Sequence, residues 1–109
     1  MHVIGEAEVR GCLILDDEIS TAGTIVSAVN ALRQNGAREM IISCYHPVFS
    51  GPAVARLRSL DAREIVVTDS VPLGPEKRLP NLTILPVAPQ FGDAIRRIRS
   101  GQSVGALFQ

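Results

Sequence analysis

The sequence predicts an α/β protein built on a mostly parallel sheet with helices on both faces. Short apolar, strand-like runs alternate along the chain with segments whose apolar residues recur at helical spacing. The 109 residues suit a single domain, and the 46% of apolar residues suffice for a core. Since only 4% of the residues are aromatic, this core is expected to be aliphatic.

The first half of the chain predicts two buried strands joined by a helix. After a short apolar lead over residues 1–5, a strand is expected over residues 9–15. A helix is expected over residues 24–34, where one apolar stripe recurs at every third or fourth position, and an Asn-Gly pair ends it. The apolar run 40–45 predicts the second buried strand.

The second half predicts two further strands and two helices. Pro52 opens a helix, because proline is favourable at the first helical position. The β-branched run 64–68 predicts a strand, and the three prolines of residues 71–81 predict a surface loop. The remaining predicted elements are a strand over residues 82–87, a helix with its apolar stripe at residues 91–98, and a short strand in the apolar tail 103–108.

Charge and composition exclude several classes of partner. Eleven basic and eleven acidic residues cancel, so nothing in the charge favours nucleic acid or an anionic membrane. Both cysteines lie in strand-like apolar runs, which favours buried structural thiols over a disulfide or a metal site. No apolar run approaches the length of a membrane span and no signal-peptide pattern is present, so we expect a cytoplasmic protein without membrane contacts.

The stretch between the first strand and its helix carries the chemistry. An apolar run ends in the carboxylates of Asp16 and Asp17, and a small, hydroxyl-rich loop over residues 20–24 follows. Such a loop can turn its backbone N–H groups toward a phosphate, with Gly23 permitting close approach. Carboxylates repel a phosphate, so the acid pair requires sugar hydroxyls or a divalent cation. Together these features indicate a site for a phosphorylated pentose.

The residues alone leave a plainer interpretation open. The acid pair is equally compatible with a solvated strand end, and Thr24 with an ordinary helix N-cap. Asp16-Asp17, His46 and Asp69 each lie at or just past the end of a predicted strand, so they are expected to share one rim of the sheet. A histidine in such a loop is more often structural than a ligand contact, and we expect backbone groups to hold His46.

The acid pair and loop resemble the phosphoribosyl pyrophosphate (PRPP) binding loop of type I phosphoribosyltransferase folds. The loop length is similar to that of PRPP synthetases (ribose-phosphate pyrophosphokinases). Further segments resemble the C-terminal half of those enzymes in the same order, namely residues 45–53, 66–72, 94–98 and 101–104. The resemblance implies that residues 1–109 are a PRPP-synthetase-like, phosphoribosyltransferase-type C-terminal domain, incomplete at its N-terminus.

The resemblance also implies a role for each residue of the site. Asp16 and Asp17 are expected to hold the ribose hydroxyls, and the loop to hold the 5-phosphate of ribose 5-phosphate or PRPP. The loop consists of Ser20, Thr21, Ala22, Gly23 and Thr24. The implied reaction is pyrophosphoryl transfer from ATP in nucleotide biosynthesis, with Mg²⁺ accompanying the substrate.

What the sequence lacks limits this expectation. It shows no glycine-rich triphosphate cradle and no Lys/Arg cluster placed for phosphoryl transfer, so no catalytic residue is assigned. ATP is expected to bind through parts of the enzyme outside this chain, and the chain alone is expected to be inactive. A sheet without its neighbouring strands exposes an apolar edge, which favours a homo-oligomer or a larger polypeptide.

Two alternatives stay open. Ser20 stands where the family typically has aspartate, which favours a non-catalytic, PRPP-synthetase-like regulatory subunit. Residues 13–18 also resemble the opening of a Mg-binding receiver domain of two-component signalling. Such a domain requires a phosphoacceptor aspartate and a lysine after its last strand. Here Asp69 lies too far along the chain and no lysine follows residues 82–87.

Overall fold

The computed structural model describes residues 2–4 and 11–105. Strands and helices alternate along most of this length. The elements are β1 (His2–Ile4), β2 (Gly11–Ile19), α1 (Gly23–Gln34), β3 (Glu39–Pro47), α2 (Ala53–Leu60), β4 (Glu64–Thr68), β5 (Leu82–Leu85) and α3 (Ala88–Ser100). Among the described residues, no helix combines the length and apolar character needed to cross a membrane.

The five strands form one sheet in the order β1-β2-β3-β4-β5. Strands β2 to β5 are parallel, and β1 lies antiparallel to β2 with Val3 opposite Ile14. Parallel neighbours require a crossover connection, and α1 and α2 supply the first two. The prediction of an α/β fold with a mostly parallel sheet is therefore confirmed.

Helices α1 and α2 lie side by side on one face of the sheet. Successive right-handed crossovers in one direction place their helices on the same face. Accordingly, Arg33 of α1 donates a hydrogen bond to the carbonyl of Leu60 at the end of α2. Helix α3 reaches the opposite face at its N-terminal end, where the Tyr45 hydroxyl donates to Gln90 at 3.4 Å. Three apolar residues of α3 stay exposed, namely Phe91, Ile95 and Ile98.

The core lies between the sheet and the helices α1 and α2. On β3, Met40, Ile42 and Cys44 are buried. Ile41 and Ser43, which alternate with them, are only half-buried, because successive strand residues point to opposite faces. The helices add five buried apolar residues, namely Ile25 and Val29 from α1 and Ala53, Leu57 and Leu60 from α2. One face of the sheet thus carries the core, and the other is partly open.

Strand β2 is longer than the sequence indicated, and this changes the setting of the acid pair. The strand runs to Ile19, so Asp16 and Asp17 lie within it rather than past its end. The apolar alternation stops at the carboxylates, but the main-chain pairing continues, with Glu18 opposite His46 on β3. A parallel ladder is formed by backbone groups, so it tolerates charged side chains that reach solvent near the strand end.

The predicted 71–81 loop is confirmed and contains a 3₁₀ turn at Pro75–Lys77. Three other expectations are corrected. Pro52 is the N-cap of α2 rather than its first residue. Strand β5 ends at Leu85, directly before Pro86, which has no N–H for the ladder. An apolar edge of the sheet was expected to be unpaired, but at β2 the edge is paired in part by the antiparallel β1. The predicted tail strand lies largely outside the described residues.

Replacing Ile42 with alanine is expected to lower the free energy of unfolding by about 2–5 kcal/mol, because truncation of a fully buried side chain leaves a cavity. Ile41→Ala, one residue earlier on the open face, is the matched control and should cost about 1 kcal/mol. Urea unfolding followed by circular dichroism measures both. Equal losses at the two positions would contradict a core on one face.

Candidate functional site

The loop between β2 and α1 leaves the first amides of α1 without helical partners. The N-cap of this helix is Ala22, and the first intrahelical bond runs from the Val26 N–H to the Ala22 carbonyl at 3.0 Å. The amides of residues 22–25 therefore have no acceptor within the helix. In α1, which the structure describes in full, the N-cap forms no side-chain hydrogen bond and the first turn holds no acidic residue. The alternative of Thr24 as the N-cap is wrong.

Ala22 has an unusual backbone conformation. Its φ of 68° lies in the left-handed region, where a β-carbon costs ~1–2 kcal/mol. The residue is also buried, with 5% of its surface exposed. Strained backbone persists where surrounding contacts impose it, and it concentrates at ligand-binding loops and active sites. The contacts around Ala22 therefore hold the loop in a shape that the residue itself disfavours.

The neighbouring loop between β3 and α2 supplies some of these contacts. The amide of Phe49 donates to the carbonyl of Ile19 at 3.0 Å, and the amide of Ser50 donates to the carbonyl of Ser20 at 2.9 Å. The hydroxyls of Ser20 and Ser50 form a further hydrogen bond at 2.8 Å. Contact between the two chain segments thus continues past the ends of β2 and β3 and fixes the start of the loop.

Arg56 on α2 contacts the middle of the loop. Its Nη1 atom donates to the Thr21 carbonyl at 3.0 Å and lies 3.4 Å from the position that a β-carbon on Gly23 would occupy. Reasoning from sequence missed both Arg56 and Ser50. They lie 35 and 30 residues from their partners along the chain, and no local motif indicates such a contact.

The acid pair lies in β2, and Glu18 and Ile19 separate it from the loop that begins at Ser20. Asp16 is half-buried and accepts the Asp17 amide on Oδ1 at 2.8 Å, whereas Asp17 is exposed. Both aspartates border a hollow of about 290 Å³, whose walls also include Tyr45. This volume is close to the lower end of the range for small-molecule sites. The carboxylates therefore stand at the wall of an open space.

His46 and Asp69 lie at the ends of neighbouring strands, where they anchor loops. His46 Nδ1 and the Ser70 hydroxyl form a hydrogen bond at 2.8 Å, so a side chain holds His46 rather than the expected backbone groups. The Oδ1 atom of Asp69 accepts the Val87 amide at 2.9 Å. These contacts assign both residues a structural role along the predicted rim.

The pKa of the buried Cys44 thiol is raised by burial and, to a smaller extent, by carboxylates at the end of β2. Burial is the main cause that raises its pKa to about 12; a backbone hydrogen bond at Ile19 opposes the shift, and the carboxylates of Asp16 and Glu18 add to it. The end of β2 is thus negative. The N-terminus of α1 and the guanidinium of Arg56 give the adjacent loop the opposite sign. The site therefore has two halves of opposite charge.

In the stretch that the structure describes, no three His, Cys, Asp or Glu side chains are grouped as ligands of a metal ion. Asp16 and Asp17 offer two carboxylates. Mg²⁺ is usually held by one or two carboxylates, with substrate phosphates and waters completing its six positions. The acid pair therefore fits a Mg²⁺ ion that arrives with a substrate better than a resident metal.

Comparison with known proteins gives consistent matches. The model of a family described as the phosphoribosyl synthetase-associated domain matches residues 1–109. The chain is 48% identical over 108 residues to the ribose-phosphate pyrophosphokinase of Oceanobacillus iheyensis, with 99% of the chain covered. It is 44% identical over 108 residues to that of Bacillus subtilis, again with 99% covered. The match spans 34% of each relative, so the chain has about a third of their length.

A solved structure is also similar. The crystal structure of phosphoribosylpyrophosphate synthetase from Mycobacterium smegmatis matches with a TM-score of 0.83 and 42% identity, over 90% of this chain and 33% of that one. The predicted relation to ribose-phosphate pyrophosphokinases is confirmed. The predicted C-terminal position within the enzyme is not confirmed by these matches, and neither is the type I phosphoribosyltransferase fold. The receiver-domain alternative finds no support in them.

Ser20→Ala and Ser50→Ala are each expected to lower the free energy of unfolding by about 0.5–1 kcal/mol, because each removes the hydrogen bond between the two exposed hydroxyls. The double variant should cost no more than either single variant, since the same bond is lost in all three. Ser27→Ala, on the exposed surface of α1, is the control and should change stability by less than about 0.5 kcal/mol. Additive losses in urea unfolding would show that the two hydroxyls act independently.

In a Cys12→Ala background, labelling of Cys44 by a disulfide reagent should keep accelerating as the pH rises above 9.0. The thiolate is the reactive species, and the raised pKa keeps the folded thiol protonated at a pH where an ordinary cysteine is already ionised. In urea, where burial is lost, the rate should level off near the ordinary pKa. Folded and unfolded rates that level off at the same pH would disprove the raised pKa.

Proposed function

Because the chain belongs to the phosphoribosyl synthetase-associated domain family, we propose that it forms the pentose-phosphate-binding part of a ribose-phosphate pyrophosphokinase. It would hold ribose 5-phosphate or PRPP in the transfer of a pyrophosphoryl group from ATP. The observation that carries the proposal is the uncapped N-terminus of α1, held in shape by the β3–α2 loop and lying next to two carboxylates.

The loop supplies the donors that a phosphate requires. The amides of residues 22–25 are available at the positive end of the α1 dipole, and the hydroxyls of Thr21 and Thr24 can add two further donors. The first turn of α1 has no carboxylate that would repel an anion. In this proposal the loop residues Ser20–Thr24 surround the 5-phosphate and orient the sugar.

The acid pair supplies the acceptors that a sugar requires. Ionised carboxylates only accept hydrogen bonds, so Asp16 and Asp17 would take the O–H groups of the ribose and reject the phosphate. A substrate with a phosphate at one end and a diol at the other is thereby oriented in one direction. Such positioning lowers the barrier because the reacting hydroxyl is presented in a fixed place.

Mg²⁺ is proposed to enter with the substrate. The two aspartates could contribute carboxylate oxygens as ligands, and the substrate and waters would provide the others. The ion would offset the negative charge on the phosphate oxygens during transfer.

ATP is proposed to bind through other parts of the whole enzyme. The chain has about a third of the relatives' length, and its site as described contains two carboxylates and an amide-rich loop rather than a triphosphate cradle. The chain alone is therefore proposed to bind the pentose phosphate without catalysing the transfer. A homo-oligomeric state and a cytoplasmic location stay predictions.

A regulatory subunit without catalytic activity is the second candidate. Ser20 stands where the family typically has aspartate, so this position carries no negative charge. Its hydroxyl forms a hydrogen bond with the Ser50 hydroxyl. A regulatory subunit would use the fold to contact a catalytic partner, and pentose binding would not be needed. Binding of ribose 5-phosphate therefore favours the first candidate over this one.

Calorimetric titration of the 109-residue chain with ribose 5-phosphate in the presence of Mg²⁺ tests the first candidate. The wild-type chain is expected to bind. The double variant Asp16→Asn, Asp17→Asn should bind about 10–100-fold more weakly, because hydrogen bonds to charged acceptors contribute about 1.5–3 kcal/mol.

Asp61→Asn is the matched control, since Asp61 is an exposed aspartate whose left-handed backbone asparagine also tolerates. It should bind as the wild type does. Failure of the wild-type chain to bind, or an unchanged affinity in the double variant, would overturn the proposed role of the acid pair.

A further inference from the structure

Arg56 of α2 places a positive charge against the loop of residues 20–24. Its Nη1 atom reaches the Thr21 carbonyl at 3.0 Å. The same atom is 3.4 Å from where a β-carbon on Gly23 would lie, an ordinary contact distance, so the guanidinium lies against Gly23 as well. The contact thus brings a cation to the first residues of α1, whose amides lack helical acceptors.

This charge is not neutralised by a carboxylate of the described part of the chain. The ion pairs between described residues are Arg63–Glu39, Arg96–Asp93 and Arg97–Asp93, and Arg56 is in none of them. A guanidinium has five N–H donors, and the Thr21 carbonyl accepts from one nitrogen. The group therefore keeps both its charge and further donors for an anion.

We infer that Arg56 is a specificity-determining residue, which adds from α2 the positive charge that makes the site prefer a phosphorylated pentose. The inference rests on the proposed function, because it assigns Arg56 to the same 5-phosphate. The Thr21 contact holds the guanidinium in place, and the dianionic phosphate is bound by the α1 amides on one side and this cation on the other. Charge-assisted hydrogen bonds of this kind are stronger than those of neutral donors.

The same contact could instead have a purely structural role, as a hydrogen bond that joins α2 to the loop and needs no charge. We call this role a neutral staple. A staple would need only a hydrogen-bond donor that reaches the Thr21 carbonyl. The two roles separate in variants that keep either the charge or the amide donor. Arg56→Lys keeps the charge, and Arg56→Gln keeps a planar N–H donor without the charge.

The test is the affinity of each variant for ribose 5-phosphate with Mg²⁺, measured by calorimetry at low ionic strength and again near 0.5 M salt. At low salt Arg56→Gln should bind about tenfold more weakly than the wild type, and Arg56→Lys within about threefold of it. The difference between Arg56→Gln and the wild type should shrink at high salt, because salt screens a solvent-exposed charge. Arg58→Gln, an exposed arginine on the same helix, is the matched control and should bind as the wild type does.

Three results would overturn the inference. One is an equal affinity of Arg56→Gln and Arg58→Gln. Another is a loss in Arg56→Gln that is the same at both salt concentrations, as a neutral staple predicts. The third is a loss in Arg56→Lys as large as that in Arg56→Gln. Absence of binding by the wild-type chain would instead overturn the proposed function, and Arg56 would lose its role with it.

Discussion

The main-chain contact between the ends of β2 and β3 is the constraint on which the site depends. Phe49 and Ser50 donate their amides to Ile19 and Ser20, so the two segments stay joined where the regular ladder ends. Because these bonds involve backbone atoms, they do not depend on side-chain identity. They fix the chain that leads into Ala22, whose left-handed conformation directs the following residues into α1. The strand pairing therefore sets where the amides at the start of that helix lie.

Charge is sorted along the same few residues. The strand end carries Asp16 and Asp17, and beyond Ile19 the loop offers amides and hydroxyls, with the guanidinium of Arg56 on α2 in contact with it. A ligand with one anionic end and one hydroxyl-bearing end matches this order in a single direction. One face of the sheet is partly open, and apolar residues of α3 are exposed. The chain has about a third of the length of its relatives.

The sequence predicts the regular elements well where one signal dominates. Strand β4 has the predicted bounds, and α1 differs from its predicted bounds by one residue at its start. Both were predictable because a β-branched run indicates the strand and an apolar stripe indicates the helix. The end of β2 was predicted too early because hydrophobic alternation stops at Asp16, although backbone pairing does not. The contacts of Ser50 and Arg56 could not be predicted, since each joins residues that are distant in sequence through tertiary packing. The acid pair and loop could be proposed as a site from the sequence because their residues are contiguous.

The most direct measurement of the central claim is an amide-resolved NMR titration of the chain with ribose 5-phosphate and Mg²⁺. If the strand-end contact shapes the loop into an anion site, the largest shifts will occur at the amides of residues 22–25, with smaller ones at Asp16 and Asp17. Shifts confined to α3 or to the open face of the sheet, with the loop amides unchanged, would contradict the account.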